Sequence, residues 1–298
     1  MLNAEAFDLR SYISQNPQSI AVWIALVALI AFGVLRYDNF GGAYNFSSFL
    51  NFNSMFIVIA LGMCFVIITG GIDLSVGAVA AFTSVIAAYL SPYGLQVAMP
   101  LAVLAGMAFG GLNAFCIIAL RIPPFIATLA TMLGAKGAAL VISGASTVAV
   151  DWGSNFTNMG MGQAFGLFPW SIVIVTVIGI VLWIVLETTS LGRTILAIGG
   201  SEDASVLMGL KVNRAKAFVY ILSGGCAGVA GVILASGYGA GQPLEGIAWE
   251  LSAIAAVVVG GTLLTGGLGS IPATVAGALL LGLVFNILNF ENGRGTIS

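Results

Sequence analysis

Apolar residues run through this chain in long unbroken stretches, and polar positions are confined to the short segments between them. Read by length, the runs predict nine membrane-spanning helices over residues 17–35, 50–69, 74–90, 95–120, 125–143, 170–186, 217–235, 251–264 and 271–290. A straight crossing needs about 20 apolar residues, so the longer fourth run is tilted or extends beyond the lipid. Asn16 as N-cap and Pro17 at the first helical position form a start signal for the first run. Pro123 and Pro124 keep the fourth helix from continuing into the fifth.

The most telling interruption lies at Ile67-Ile68-Thr69-Gly70-Gly71-Ile72-Asp73-Leu74-Ser75-Val76-Gly77, where a carboxylate and paired glycines sit inside a long apolar region. A bare charge at membrane depth costs about 2.5–3.5 kcal/mol at a helix centre. Irregular backbone at that depth survives only where protein or a water-filled cavity covers it. Gly70 and Gly71 end the incoming helix, and Asp73 and Ser75 suit the start of a new one, where a side-chain oxygen accepts an orphan N–H. The pattern predicts a discontinuous helix, and such breaks cluster near transport pathways. Two readings stand side by side: a cap at a bend, or a group on the path of a cargo. The eighth run is short and ends in an echo that makes it a second candidate broken helix: residues 259–267 can be laid on residues 69–77 with Gly260 and Gly261 in place of Gly70 and Gly71, but without the carboxylate.

Composition fixes the class. The chain is 59% hydrophobic and 7% charged, with a mean hydropathy of +1.09, against about 25% charged residues in an ordinary soluble domain. The 298 residues therefore form a single membrane domain: an all-α, polytopic helical bundle of about nine to ten spans with discontinuous helices. Forty glycines suit close helix packing in lipid. The net charge of −2 and the lack of a basic cluster with interleaved aromatics give no sign of nucleic acid. Cys64, Cys116 and Cys226 lie in separate apolar runs and read as small core residues. With no histidine, neither a Ser–His or Cys–His pair nor a His-based metal site can form, so catalytic and metal residues are both expected to be none. None of the three lysines follows a Gly-x-x-x-x-Gly pattern, so the chain has no phosphate-binding loop.

Placement of Lys and Arg predicts orientation. With the N-terminus in the cytoplasm, Arg10, Arg121, Arg193, Lys211, Arg214 and Lys216 fall inside, and Arg36 and Arg294 outside. Residues 143–169 and 237–250 then face outward. Lys136 falls within the fifth run, as a pathway or interface cation or as a structural partner for Asp73 or backbone carbonyls. Asn113, after Gly110 and Gly111, reads as interhelical glue or as a cargo contact. Trp152, Trp170 and Trp249 are placed as membrane-edge anchors.

The polar segment 187–216 joins two runs on the cytoplasmic side. Its centre predicts a short helix over residues 201–209: Ser201 caps it, Glu202 and Asp203 complement the dipole, and Gly209 ends it. Val206, Leu207 and Leu210 give it an apolar side. Such a helix suits either a partner's groove or a resting place on lipid headgroups.

Residues 70–77 resemble the signature of the inner-membrane permease subunits of bacterial sugar ABC importers, the ribose/galactose/xylose class. Four further stretches agree in order: Arg121-Ile122-Pro123-Pro124-Phe125-Ile126-Ala127-Thr128-Leu129-Ala130-Thr131; Leu191-Gly192-Arg193 with Ala197-Ile198-Gly199-Gly200; Tyr220-Ile221-Leu222-Ser223-Gly224; and residues 250–261. The resemblance covers about residues 50–290, and its details are most similar to galactofuranose-type permeases. It implies a subunit that translocates a monosaccharide by alternating access and does no covalent chemistry. A cytoplasmic ATP-binding subunit, holding ATP and magnesium, would dock on the coupling residues Arg193, Ser201, Glu202, Ala204, Val206, Leu207 and Gly209. An external sugar-binding protein would deliver the cargo, and a second permease subunit, identical or paralogous, would complete the membrane part among the lipids. The pathway residues implied are Gly70, Gly71, Asp73, Ser75, Asn113, Lys136, Gly260 and Gly261. Ser252 stands where that family usually has an aspartate, so no role of that carboxylate carries over. The resemblance also implies a tenth crossing beyond Ser298. Other cargoes remain open: nucleosides, autoinducer-like molecules or branched-chain amino acids. So does an ion-coupled secondary transporter, for which Asp73 and Lys136 are the clear ionisable candidates.

Overall fold

A computed structural model describes residues 17–164, 166 and 168–297. Arg10 and Asn16, used above for orientation and capping, lie outside the described residues. Eleven helices carry the fold: α1 (Pro17–Arg36), α2 (Ala43–Ile68), α3 (Val76–Leu90), α4 (Leu95–Ile118), α5 (Pro124–Ser143), α6 (Trp170–Thr188), α7 (Ser190–Gly200), α8 (Glu202–Leu207), α9 (Val212–Tyr238), α10 (Trp249–Val259) and α11 (Ile271–Ile297). Single helical turns and four two-residue strands complete the connections. Val148–Ala149 pairs antiparallel with Ala240–Gly241, tying the connection after α5 to the end of α9.

Among the described residues seven helices, rather than nine or ten, are long and apolar enough to cross a membrane. The difference lies in α10 and α1. Gly260 and Gly261 cut α10 at eleven residues, about 16 Å of helix. Helix α1 is itself 20 residues long, enough for a crossing, with described side chains over Ile20–Arg36.

Helix α9 is the centre of the bundle, packed against α4, α3 and α2. Its neighbours run in different directions. Asn51 lies near Gly237, Gly62 against Ser223 and Cys226, and Phe65 near Phe218, so α2 is antiparallel to α9. Asp73 meets Ser223, Thr83 meets Gly231, and Gly241 sits on Ser84 and Val85, so α3 runs parallel to it. The chain therefore reverses between α2 and α3, with α9 packed against both.

Glycine makes the α4–α9 contact close. A Cβ at Gly106 would lie 2.3 Å from the Gly224 carbonyl oxygen, one at Gly110 2.2 Å from the Tyr220 carbonyl oxygen, and one at Gly224 2.3 Å from the Gly106 carbonyl oxygen. Such backbone-to-backbone approach is what small residues at four-residue spacing permit in lipid. Helix α10 lies antiparallel on α11 by the same device, with Gly260 against Ala273 and Gly277 against Ala256. At the edge of the bundle α11 holds α1 and its following turn: Leu26, Tyr37, Phe40 and Leu283 form a small separate core, and the Tyr37 hydroxyl donates to Glu291 at 2.6 Å.

Adjacent glycines in α4 provide a direct test of this packing. Gly110 has no room for a Cβ, whereas one at Gly111 would meet nothing within 4 Å. Gly110→Ala should lower the unfolding temperature of the detergent-solubilised protein markedly, an overpacking loss of about 1–3 kcal/mol. Gly111→Ala should leave it unchanged or raise it. Equal effects of the two in a thermal melt would show that this crossing does not depend on glycine.

Candidate functional site

The reversal between α2 and α3 is built from its backbone outward. The Gly70 N–H donates to Ile67 O at 2.8 Å with Gly70 at φ +76°, a left-handed conformation that glycine adopts without strain. Gly71 is pressed on Tyr220, whose hydroxyl would lie 2.3 Å from a Cβ there. Residues 71–73 then run along α9, so that Gly71 sits on Tyr220 and Asp73 reaches Ser223 three residues further on.

Asp73 is fully buried and hydrogen-bonded through both carboxylate oxygens. Its Oδ1 accepts from the Ser75 N–H at 2.9 Å and the Ser75 hydroxyl at 2.6 Å, and Oδ2 accepts from the Ser223 hydroxyl at 2.7 Å. The Asn113 amide of α4 donates to Ser75 Oγ at 2.9 Å and lies 3.5 Å from Asp73 Oδ1. The Thr131 hydroxyl of α5 donates to Asn113 Oδ1, and the Thr128 hydroxyl reaches Ile72 O at 3.3 Å. One carboxylate thus joins the reversal to α4, α5 and α9. Ser75 occupies the N-cap position of α3, but its hydroxyl is drawn into this hub and makes no cap bond; Asp73 satisfies the Ser75 N–H instead.

Of the residues singled out in the sequence, the structure brings Gly70, Gly71, Asp73, Ser75 and Asn113 together, and Tyr220, Ser223, Thr128 and Thr131 join them. Those four are hydroxyl side chains set in otherwise apolar runs, a signal that was available but unspecific. Lys136 stands apart. It is exposed on α5, with no hydrogen bond or ion pair among the described residues, and Gly134 and Gly137 beside it have nothing within 4 Å of their Cβ positions. Trp249 is not a free membrane-edge anchor: it is buried and its ring centroid lies 5.0 Å from that of Phe56. Trp152 and Trp170 are exposed.

The second break has no carboxylate and closes on its own backbone. Thr262 N bonds Val257 O at 3.2 Å, Gly266 N bonds Leu263 O at 3.0 Å, and Leu263 N bonds Leu268 O at 3.3 Å. Gly261, Gly266 and Gly267 all have positive φ.

At the N-terminal end of α9 the segment 187–216 folds as two helices where one was expected. Thr189 caps α7 through the Gly192 N–H at 3.1 Å, and Ser201 caps α8 through the Ala204 N–H at 3.2 Å. Glu202 and Asp203 occupy the first turn of α8, and Gly209 ends the turn that follows at φ +76°. Lys216 pairs with Glu202 at 2.5 Å. Val206, Leu207 and Met208 are 57%, 88% and 67% exposed, an apolar tip without cover. A cavity of about 360 Å³ beside it is lined by Arg121, Glu202, Asn213 and Lys216. Near the opposite end of α9, a cavity of about 550 Å³ is lined by Tyr44, Ser47, Ser48, Asn51, Gln163 and Gly237.

Residues 45–292 match the family described as the permease component of branched-chain amino acid transport systems. The chain is 39% identical over 272 residues to the ribose import permease protein RbsC of Haemophilus influenzae, covering 90% of this chain and 84% of that protein. It is 40% identical to RbsC of Escherichia coli K12, covering 89% and 84%. It is 34% identical to the D-allose transport system permease protein AlsC of the same organism, covering 90% and 82%. No solved structure matches the chain.

The hub makes a specific demand of residue 73. Asp73→Asn keeps an acceptor for the Ser75 N–H and should melt close to the parent protein. Asp73→Leu orphans buried donors, each costing about 1–3 kcal/mol, and should unfold at clearly lower temperature or fail to accumulate in the membrane. A melt in which Asn is as damaging as Leu would assign the carboxylate's charge, rather than its acceptor oxygens, to the joint.

Proposed function

The chain belongs to this family of transport-system permease components, and on that footing we propose that it is the membrane-spanning subunit of an ATP-driven importer of a monosaccharide. The observation that carries the reading is similarity along nine-tenths of the chain to permeases named for ribose import, reinforced by relatives named for allose and arabinose. The chain itself does no covalent chemistry in this scheme; ATP and magnesium are held by a separate cytoplasmic subunit.

That subunit docks on α8. An exposed apolar tip on a short helix capped at both ends is the kind of element that inserts into a groove. Arg121, Arg193, Lys211, Arg214 and Lys216 flank the same end of the bundle in sequence, which favours a cytoplasmic position for it and for the N-terminus. The polar cavity near the other end of α9 then faces outward, where a sugar-binding protein delivers its cargo. Ser47, Ser48 and Gln163 offer hydroxyl and amide groups there that match a sugar's own. A second permease copy or a paralogue covers α5, whose open glycines allow close approach and whose Lys136 needs water or a polar partner at membrane depth. Transport follows from two packings of this bundle, biased by ATP-driven closure of the partner.

Replacing Val206 and Leu207 by aspartate removes the apolar contact and adds charge beside Glu202 and Asp203. The variant should reach the membrane yet lose sugar-stimulated ATP hydrolysis, and a cysteine at Ala204 should crosslink to the ATPase. Normal transport by the double aspartate variant, together with no crosslink in any nucleotide state, would overturn the docking assignment.

Lys136→Cys in a background free of other cysteines should react with a small water-soluble thiol reagent in at least one nucleotide state of the complex. Reaction only with lipid-phase reagents in every state would place the residue against lipid.

A further inference from the structure

The end of α7, the end of α2 and the turn after α10 converge on one carbonyl. Gly267 N donates to Ile68 O at 2.9 Å, and Gly199 lies on that bond: a Cβ at 199 would be 1.9 Å from Ile68 O and 2.1 Å from Gly267 N. Gly266 closes the other side, where a Cβ would lie 2.9 Å from Ile68 O and 3.0 Å from both Gly199 Cα and Gly70 N. Gly70, Gly266 and Gly267 have φ values of +76°, +88° and +84°, so three of the four glycines are also fixed by conformation. The neighbouring Gly200 has nothing within 4 Å of its Cβ position. Of the two glycines that end α7, only Gly199 is in tight contact, so Gly200 serves as its control.

The chain connectivity gives this junction a mechanical consequence. Residues 69–75 are gripped at one end by the α7 junction at Ile68 and at the other by Ser223 of α9 through Asp73. Helix α8 lies between α7 and α9 in the chain. Any displacement of α8 that moves α7 relative to α9 must therefore be taken up by residues 69–75, and close-packed backbone has no slack to absorb it. The turn that carries Gly266 and Gly267 is drawn along by the same bond.

We propose that Gly199, Gly266 and Gly267, closed on the carbonyl of Ile68, form a positioning contact that passes movement of the α7–α8 segment to both helix breaks at once. The inference rests on the reading of α8 as the docking element for an ATPase, and it adds how that docking reaches the interior.

The test uses the complete transporter in lipid vesicles: permease, ATPase and binding protein, with radiolabelled ribose as cargo. Gly199→Ala should leave ATP hydrolysis in place but lower ribose imported per ATP by about tenfold, the factor equivalent to about 1.4 kcal/mol, while Gly200→Ala imports normally. Gly199→Ala that assembles and imports like the parent overturns the proposal. A second measurement avoids the risk that Gly199→Ala does not assemble. Spin labels at the exposed positions Gly200 and Leu268 should keep one distance distribution in the nucleotide-free and ATP-trapped complexes, while a pair at Gly200 and Tyr93 changes. A Gly200–Leu268 distance that changes between the two states, or a Gly200–Tyr93 distance that does not, overturns it. Import of ribose by the parent complex is the separate check on the functional reading, so failure of one is not mistaken for failure of the other.

Discussion

A chain that turns back on itself inside a membrane protein must satisfy its own backbone, because no bulk water reaches the turn. Residues 69–75 meet this constraint with one carboxylate. Asp73 supplies acceptors for the N–H of Ser75, the N-cap residue of α3, and for hydroxyls on the turn and on α9, and Asn113 extends the network to α4 and, through Thr131, to α5. Burying a charged group is costly unless every lone pair finds a donor, which explains why so many short polar side chains gather here in an otherwise apolar core. The hub is a joint that fixes where four elements meet.

Glycine does for packing what the carboxylate does for polarity. The α4–α9 crossing, the α10–α11 pair and the junction under Ile68 all bring backbone within reach of backbone. Van der Waals contact, rather than water expulsion, drives helix association in lipid, so close approach matters more here than large side chains. The bundle is consequently held by many short contacts around α9, and the helices furthest from it, α1, α5 and α6, carry much of the exposed apolar surface.

Much of this was legible in the sequence, because its signals are local. Apolar run length located the helices, the Gly70–Asp73 pattern located the reversal, and Ser201, Glu202, Asp203 and Gly209 outlined α8 to within a residue or two. What was hidden depends on distant partners. Ser223 and Thr131 look like hydroxyls bonded to their own helix until the fold brings Asp73 and Asn113 to them. Helix α7 was read only as a polar connection because its three glycines disguise an amphipathic turn pattern that settles on Ile68. Trp249 carried the composition of a membrane-edge residue, and only the neighbouring Phe56 reveals that it is core. The apolar run over residues 251–264 is only about four turns long, and Gly260 and Gly261 end α10 after eleven residues.

The two breaks are alike in sequence but unequal in construction. The first is anchored by side chains to three helices; the second is held by bonds within its own loop, by the Gly267 N–H bond to Ile68 O of α2, by the Cys64–Thr262 contact and by packing of Gly266 and Gly267 on α7. What differs is the chemistry of the hold: polar side chains centred on Asp73 at the first, backbone hydrogen bonds and close glycine contacts at the second. With no carboxylate between Gly261 and Gly267, the turn of the second break is made by backbone hydrogen bonds and by glycines at positive φ.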